Sequence, residues 1–339
     1  MAAETKKKTA PAKAKAPSPA ALKNYLEKAG DLPVDVLLGR LVLFTISDEP
    51  VKRSDIIDWF TELGLDLAFV PAENKAMHAF EKATSETKDV YAMTKGREGH
   101  MLCRDVTRSG MSLRRQITRE VKDGRAKVLS YGKAIDCVFY KPNDPADQSG
   151  ARLNIQINSP ELEKSEIPDV KAAAQNIHAR YYRYLEFLDG MKLRATVRTY
   201  LKKQLNAIEV KGGVYFVQAK YDDELGRLTE LVSRFGGECQ MSMIPIVDIE
   251  RERKFLTQVL HRESAQALAD LNKEIDAAMA SGSSVTMATH ARLVRRYEEL
   301  VANVDEHMTT LKVTHNVTAA AAEQIQDQLL VLQAKALRG

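Results

Sequence analysis

The strongest constraint on the fold lies near the C-terminus. Stepping alternately by four and three residues from Leu293 gives Tyr297, Leu300, Val304, His307, Leu311, Thr314, Thr318, Ala321, Ile325, Gln328 and Leu332. No charged residue falls on that line. Such spacing is the seam of a coiled coil, where each apolar side chain meets a facing helix. It predicts one helix over 286–337, paired antiparallel with an earlier helix over about 249–280. Gly282 would end the first helix, and Ser283 or Ser284 would cap the second. The polar members His307, Thr314, Thr318 and Gln328 weaken the seam and help fix its register. At about 1.5 Å per residue the second helix outruns the first. Residues 319–337 would then pack on the rest of the chain, join another chain, or stay free.

Upstream, helical and strand patterns mix, so the fold class is α+β. LLGRLVLFTI (37–46) is a β-rich apolar run. Residues 55–64 form an amphipathic helix capped by Ser54 and stopped at Gly64. LDLAFVP (65–71) reads as extended, and a second helix follows around Met77 and Phe80. The segments 113–122 and 125–141 flank Asp123-Gly124, a strong hairpin signal, and 151–157 is a last alternating strand. Asp169 caps a helix that reaches Leu188. After Gly190 another helix runs to about Ala207. The strand 214–218, the helix 222–237 and the strand 239–248 complete a small α/β layer. The expected division is a basic disordered tail over 1–21, a β-rich α+β domain over 22–158, a small α/β domain over 159–247 and a helical hairpin over 248–339.

The net charge of +4 at pH 7 conceals a split. Residues 1–25 carry six lysines against one glutamate, and residues 100–141 carry ten Lys or Arg against four acids. Concentrated positive charge of this kind raises local affinity for polyanions. The tail, with Lys6, Lys7 and Lys8, has too few apolar side chains to fold and could serve as a polyanion-binding arm or only as a solubilising one.

Two further segments are candidates for contacting nucleic acid. In the hairpin, Arg114, Arg115, Arg119 and Arg125 lie on or beside strands. Arg115, Arg119 and Arg125 could share one face at phosphate spacing. A solvated sheet face explains the same residues. In the helices after Asp169, Arg180 and Arg183 interleave with Tyr181, Tyr182 and Tyr184, and Arg194, Arg198 and Lys202 form a stripe at intervals of four. Rings that stack on bases beside cations suit single-stranded nucleic acid. Amphipathic helices with core-facing tyrosines are the plainer explanation of the same residues.

Chemistry of other kinds finds no motif. The histidines form no HExxH set, and His100, Cys103 and Cys137 lack a fourth metal ligand. KGGVYFV (211–217) has a glycine pair before a strand and no phosphate-loop pattern, so it reads as a turn. No nucleophile elbow or Cys–His signature occurs. No cofactor is expected, and an enzyme is not the favoured reading. No apolar stretch is long enough to span a bilayer, and the three cysteines fit a reducing cytoplasm.

The combination of LLGRLVLFTI, GLDLAFVP and AFEKATSE (79–86), with KGGVYFV and IPIVD further on, resembles an uncharacterised protein family of actinobacteria and their phages. The resemblance covers about residues 30–270. It implies no activity and assigns no functional residue. The expected function is accessory nucleic-acid binding, to DNA or RNA without sequence-specific readout, in phage or mobile-element DNA metabolism. The competing expectation is a scaffolding protein that self-assembles or binds a protein partner through 286–337.

Overall fold

The computed structural model describes residues 36–87, 89–93, 97–109, 112–122, 128–141, 152–162, 164, 167–280, 286–313 and 319–337. The expected basic tail, the Asp123-Gly124 turn and the cap at Ser283 or Ser284 lie outside these residues. The fold is mixed α and β, as expected. It divides into two compact units that do not follow chain order.

Among the described residues, one unit holds those up to Thr45, Val197–Arg234 and those from Cys239 onward. Its sheet has the order β11-β1-β10-β9, made of β1 (Leu37–Thr45), β9 (Ile208–Lys211), β10 (Val214–Gln218) and β11 (Gln240–Val247). All three ladders are antiparallel. Helix α4 (Gly190–Lys203), whose residues from Val197 belong here, precedes β9. Helix α5 (Asp222–Arg234) lies between β10 and β11. The sequence β-α-β-β-α-β with this strand order is the split β-α-β arrangement of ferredoxin-like folds. The β9–β10 turn is Gly212-Gly213 with φ of 53° and 85°, as a two-residue hairpin with two left-handed positions requires. Strand β9 itself was not apparent from the sequence.

The same unit contains helices α6 (Glu250–Ala280), α7 (Met287–Leu311) and α8 (Ala319–Ala336). The expected single helix over 286–337 is therefore two helices. Helix α7 stops at Lys312, which is left-handed at φ 56°, and the Val313 N–H donates to the Met308 carbonyl at 3.0 Å. Val313, Thr314, Val317 and Thr318 are β-branched and sit beside Asn316, a run with little helix propensity that the apolar seam concealed. The cap of α7 is Thr286, whose hydroxyl accepts from the Thr289 N–H at 3.2 Å. Leu268, Leu271 and Ile275 of α6, Leu293 of α7, and Ile325, Leu329 and Leu332 of α8 form one buried cluster. The hairpin is thus a three-helix bundle, and the stretch left over by length packs on its own chain.

A second cluster joins bundle to sheet through Leu256, Val259 and Leu260 of α6, Leu311 of α7, and Leu38, Ile208 and Phe216 of the strands. His307, on the predicted seam, is 1% exposed. Its Nε2 lies 2.6 Å from the Asn206 carbonyl and so carries the proton, while Nδ1 accepts from Gln218 Nε2 at 3.0 Å. Gln218 Oε1 accepts from Thr310 Oγ1 at 2.6 Å. Burial pushes the imidazole pKa down, against the opposing pull of the Asn206 carbonyl bond and the Glu306 charge. A polar seam residue here fixes α7 to the end of β10.

The other unit, residues 46–196 with 235–238, is inserted in the chain between β1 and the rest of the first. Its sheet is a five-stranded antiparallel meander of β3 (Asp89–Met93), β4 (Arg97–Arg108), β5 (Ser112–Lys122), β6 (Val128–Tyr140) and β7 (Arg152–Ile157). The expected pairing of the two basic segments is present, with Arg119 opposite Gly132 and Arg115 opposite Cys137. Helices α2 (Ala76–Ser85) and α3 (Ile167–Glu186) cover one face. Ala76, Ala79 and Ala83 recur on one side of α2, and Ala173 and Ala174 lie on α3. With Phe80, Ile177, Tyr181, Ile117, Ile135 and Phe139 they form the core. Small residues let helices approach each other and the sheet closely, leaving the larger side chains to fill the space between.

Helix α1 (Arg53–Glu62) buries Ile56 and Phe60 and ends at Gly64, whose φ is 61°. Ser54 does not cap it, since the cap position is Lys52. The segment 65–71 is not a strand, because Leu67–Phe69 form a 3-10 turn closed by Asp66 accepting from the Ala68 N–H at 2.9 Å. Strands β2 (Val51–Lys52) and β8 (Phe187–Leu188) pair antiparallel. Asp169 lies in the first turn of α3 instead of capping it.

The expected domains cut the chain at 158 and 247. The compact units differ because β1 pairs with strands far downstream in the sequence, and local periodicity carries no record of such pairing.

Candidate anion interface

The strand arginines are held by neighbouring strands and by helix α2. Arg114 pairs with Asp136 on the neighbouring strand, Nε to Oδ1 at 2.9 Å. Arg115 turns toward the helix-covered face. Its Nη1 lies 2.7 Å from the Glu81 carbonyl, 2.6 Å from Thr84 Oγ1 and 2.9 Å from Ser85 Oγ, and its Nε donates to Asp105 at 2.5 Å. Arg119 is 8% exposed. Arg104 meets Glu120 at 3.8 Å, and Arg108 pairs with Glu81. The expected row at Arg115, Arg119 and Arg125 is therefore not open at its first two members, and the further candidate Arg114 is paired with Asp136. The alternation that was to align Arg115 with Arg119 turns them toward the covered side with Leu113 and Ile117. Arg125 and Lys6, Lys7 and Lys8 lie outside the described residues.

The helical candidates divide differently. Tyr181 is buried in the core and Tyr182 is 52% exposed, its ring in edge contact with Tyr181 at 5.2 Å between centroids. Tyr184 is half-buried, and its hydroxyl donates to Glu86. Burial first, and then that bond, push its pKa up to about 12. Arg180 is half-buried and Arg183 exposed. The stripe on α4 is largely engaged. Arg194 donates to the Ile46 carbonyl at 2.5 Å and to Asp48 at 2.7 Å. Lys202 meets Glu209 at 2.7 Å and holds that carboxyl below its usual range. Arg198 is exposed and adds to the same depression of Glu209.

Arg183 stands at the wall of a cavity of about 490 Å³ within the inserted unit. Lys75, Lys82 and Lys192 line it as well, with His78 between the first two along α2. Its carboxylates are Asp48, Glu73 and Asp189, and each has a cation: Arg194 at 2.7 Å, Arg53 at 3.3 Å and Lys82 at 3.8 Å. Lys75 and Arg183 have no carboxylate partner among the described residues. Lys192 Nζ donates to Asn74 Oδ1. Asn74 Nδ2 in turn donates to the carbonyls of Tyr184 and Phe187 at 2.7 and 2.9 Å. One asparagine thus ties the end of α3 and orients a lysine. Lys82 Nζ sits 4.5 Å from the centre of the Tyr184 ring, a cation over an aromatic face.

Of the cations at this cavity only Arg183 was a candidate from sequence, together with its neighbour Tyr184. Lys75, His78 and Lys82 follow one helical face at steps of three and four, a readable signal. Their meeting with Arg183 and Lys192 depends on the packing of α2 against α3, which is not readable. Among the described residues no group of three or more His, Cys, Asp or Glu could hold a metal ion. No helix among them is long and apolar enough to cross a membrane. Cys137 is wholly buried, and burial pushes its thiol up to about 12.

Comparison with known families matches DUF6744, a family of unknown function, over residues 37–338. The chain belongs to that family. The DUF6744 match takes in α6, α7 and α8, so the helical bundle is part of the family's shared region and not an addition to it. No curated protein and no solved structure matches this DUF6744 chain.

Proposed function

We propose that the protein is an accessory nucleic-acid-binding protein that contacts phosphates without reading base sequence. The carrying observation is the surplus of positive charge at the cavity of the inserted unit. Its three carboxylates already have cations, while Lys75, Arg183 and Lys192 have no carboxylate partner among the described residues. Arg180 and the exposed Tyr182 lie on the same helix as Arg183. Phosphate contacts of this kind supply affinity and no sequence information. The reading fits a cytoplasmic role in phage or mobile-element nucleic-acid metabolism.

Fluorescence anisotropy with single- and double-stranded DNA and RNA, across a range of salt, tests the proposal. Binding should weaken as salt rises, with a log–log slope of about −0.7 per phosphate contact for single strands. Absence of binding at low salt would refute it.

The scaffolding alternative rested on an apolar stretch beyond the reach of its partner helix. Ile325, Leu329 and Leu332 of that stretch are buried against α6 and α7. Leu330, Val331 and Leu337 remain exposed, and they are what a self-assembly surface would have to use.

A further inference from the structure

We propose that the cavity lined by Lys75, Lys82, Arg183 and Lys192 binds a phosphate monoester carried on a hydroxylated body, the chemistry shared by a free nucleotide and a phosphorylated strand end. The inference deepens the nucleic-acid reading and rests on it for the choice between those two sources.

Three features select this ligand. The first is charge. A phosphodiester inside a strand carries one negative charge, whereas a phosphate monoester carries about 1.5 to 2 near neutrality. Counting each carboxylate against its own cation leaves Lys75, Arg183 and Lys192 in excess, a better match to a compact dianion than to a single diester. The second is shape. A volume of about 490 Å³ lies within the range of small-ligand pockets. The third is the mixture of signs. Asp48, Glu73 and Asp189 line the cavity although its net charge is positive. An ionised carboxylate has lone pairs to spare after one ion pair and accepts sugar hydroxyls well. A site for inorganic phosphate alone has no use for them. The Asn74 bridge holds Lys192 in place before any ligand arrives, which lowers the ordering cost of binding.

The test uses the full chain and four probes. These are a labelled single-stranded oligonucleotide with a terminal phosphate, the same strand ending in a hydroxyl, adenosine monophosphate, and inorganic phosphate. Adenosine serves as the uncharged control. The expected result is a preference of about tenfold for the phosphorylated strand, the scale of one charge-assisted hydrogen bond, with competition by adenosine monophosphate and none by adenosine. Arg183→Ala and Lys75→Ala should each reduce that preference. Both side chains are exposed, so the variants should fold, which circular dichroism would check.

Binding of adenosine monophosphate without a strand-end preference would support the site and assign it to the free nucleotide. Equal competition by inorganic phosphate would overturn the hydroxylated body. Equal binding of both strands with no binding of adenosine monophosphate would overturn the inference, and salt-sensitive strand binding in that case would leave the nucleic-acid reading standing. Adenosine monophosphate binding with no strand bound at low salt would sink the nucleic-acid reading and leave the cavity as a nucleotide site.

Discussion

Strand β5 and the end of helix α3 look alike in sequence, each a short run dense in arginine. The fold treats them in opposite ways. On β5, Arg114 and Arg115 each meet an aspartate, Arg115 adds three acceptors at the end of α2, and Arg119 is buried. At α3, Arg183 projects to a cavity whose acids already have partners. A basic run in a sequence therefore shows only where cations occur. Affinity for an outside anion depends on which cations the fold leaves without a carboxylate, since exposed pairs contribute little to stability while unpaired cations raise the local potential.

The largest expected effect separates the two regions by stability. Arg115→Ala takes the donor from the Glu81 carbonyl and the buried Thr84 hydroxyl and removes a nearly buried guanidinium, so it should cost about 2–4 kcal/mol in urea unfolding. Arg183→Ala should leave the unfolding midpoint within error. A stability loss at Arg183 equal to that at Arg115 would erase the distinction.

Surplus apolar surface can be examined in the same way. The stripe on α8 is absorbed by the chain itself, so Leu329→Ala should cost about 2–4 kcal/mol. Deleting 319–339 should expose Leu268, Leu271 and Ile275 of α6 and make the protein associate. Light scattering reads the outcome. A full-length oligomer that becomes monomeric on this deletion would instead favour assembly through α8.

A smaller effect concerns pH. Burial sets the folded pKa of His307 below its unfolded value of about 6.5. Unfolding then takes up a proton at acid pH. Its contribution is complete above the unfolded pKa and is lost as pH falls below it. Stability measured from neutral to mildly acid pH should decline in the native chain, and the part due to this group should be missing in His307→Gln. An identical decline in both would assign the effect to other groups.

These outcomes follow the limits of what the residues alone disclose. Strands β1, β6, β7, β10 and β11 and helices α2, α5 and α6 are legible because alternation and helical spacing are local. Gly212-Gly213 marks its turn for the same reason. The break after Leu311 was hidden because an apolar seam outweighed the β-branched run that follows it. His307 was legible as a polar seam residue that fixes register, though its partners Gln218 and Asn206 were not. The site was half legible. Arg183 stood out beside its tyrosines, but Lys75 and Lys192 acquire meaning only when α2, α3 and the start of α4 come together.

The most direct test compares salt dependence across three chains: the native protein, Arg183→Ala with Lys75→Ala, and Arg114→Gln. Anisotropy with single-stranded DNA gives the slope of log affinity against log salt for each. Loss of the cavity cations should flatten the slope by about one to one and a half, since each single-strand phosphate contact contributes about 0.7. Arg114→Gln should leave it unchanged, because that arginine is paired with Asp136. A slope that flattens with Arg114→Gln and stays the same without Arg183 and Lys75 would contradict the account.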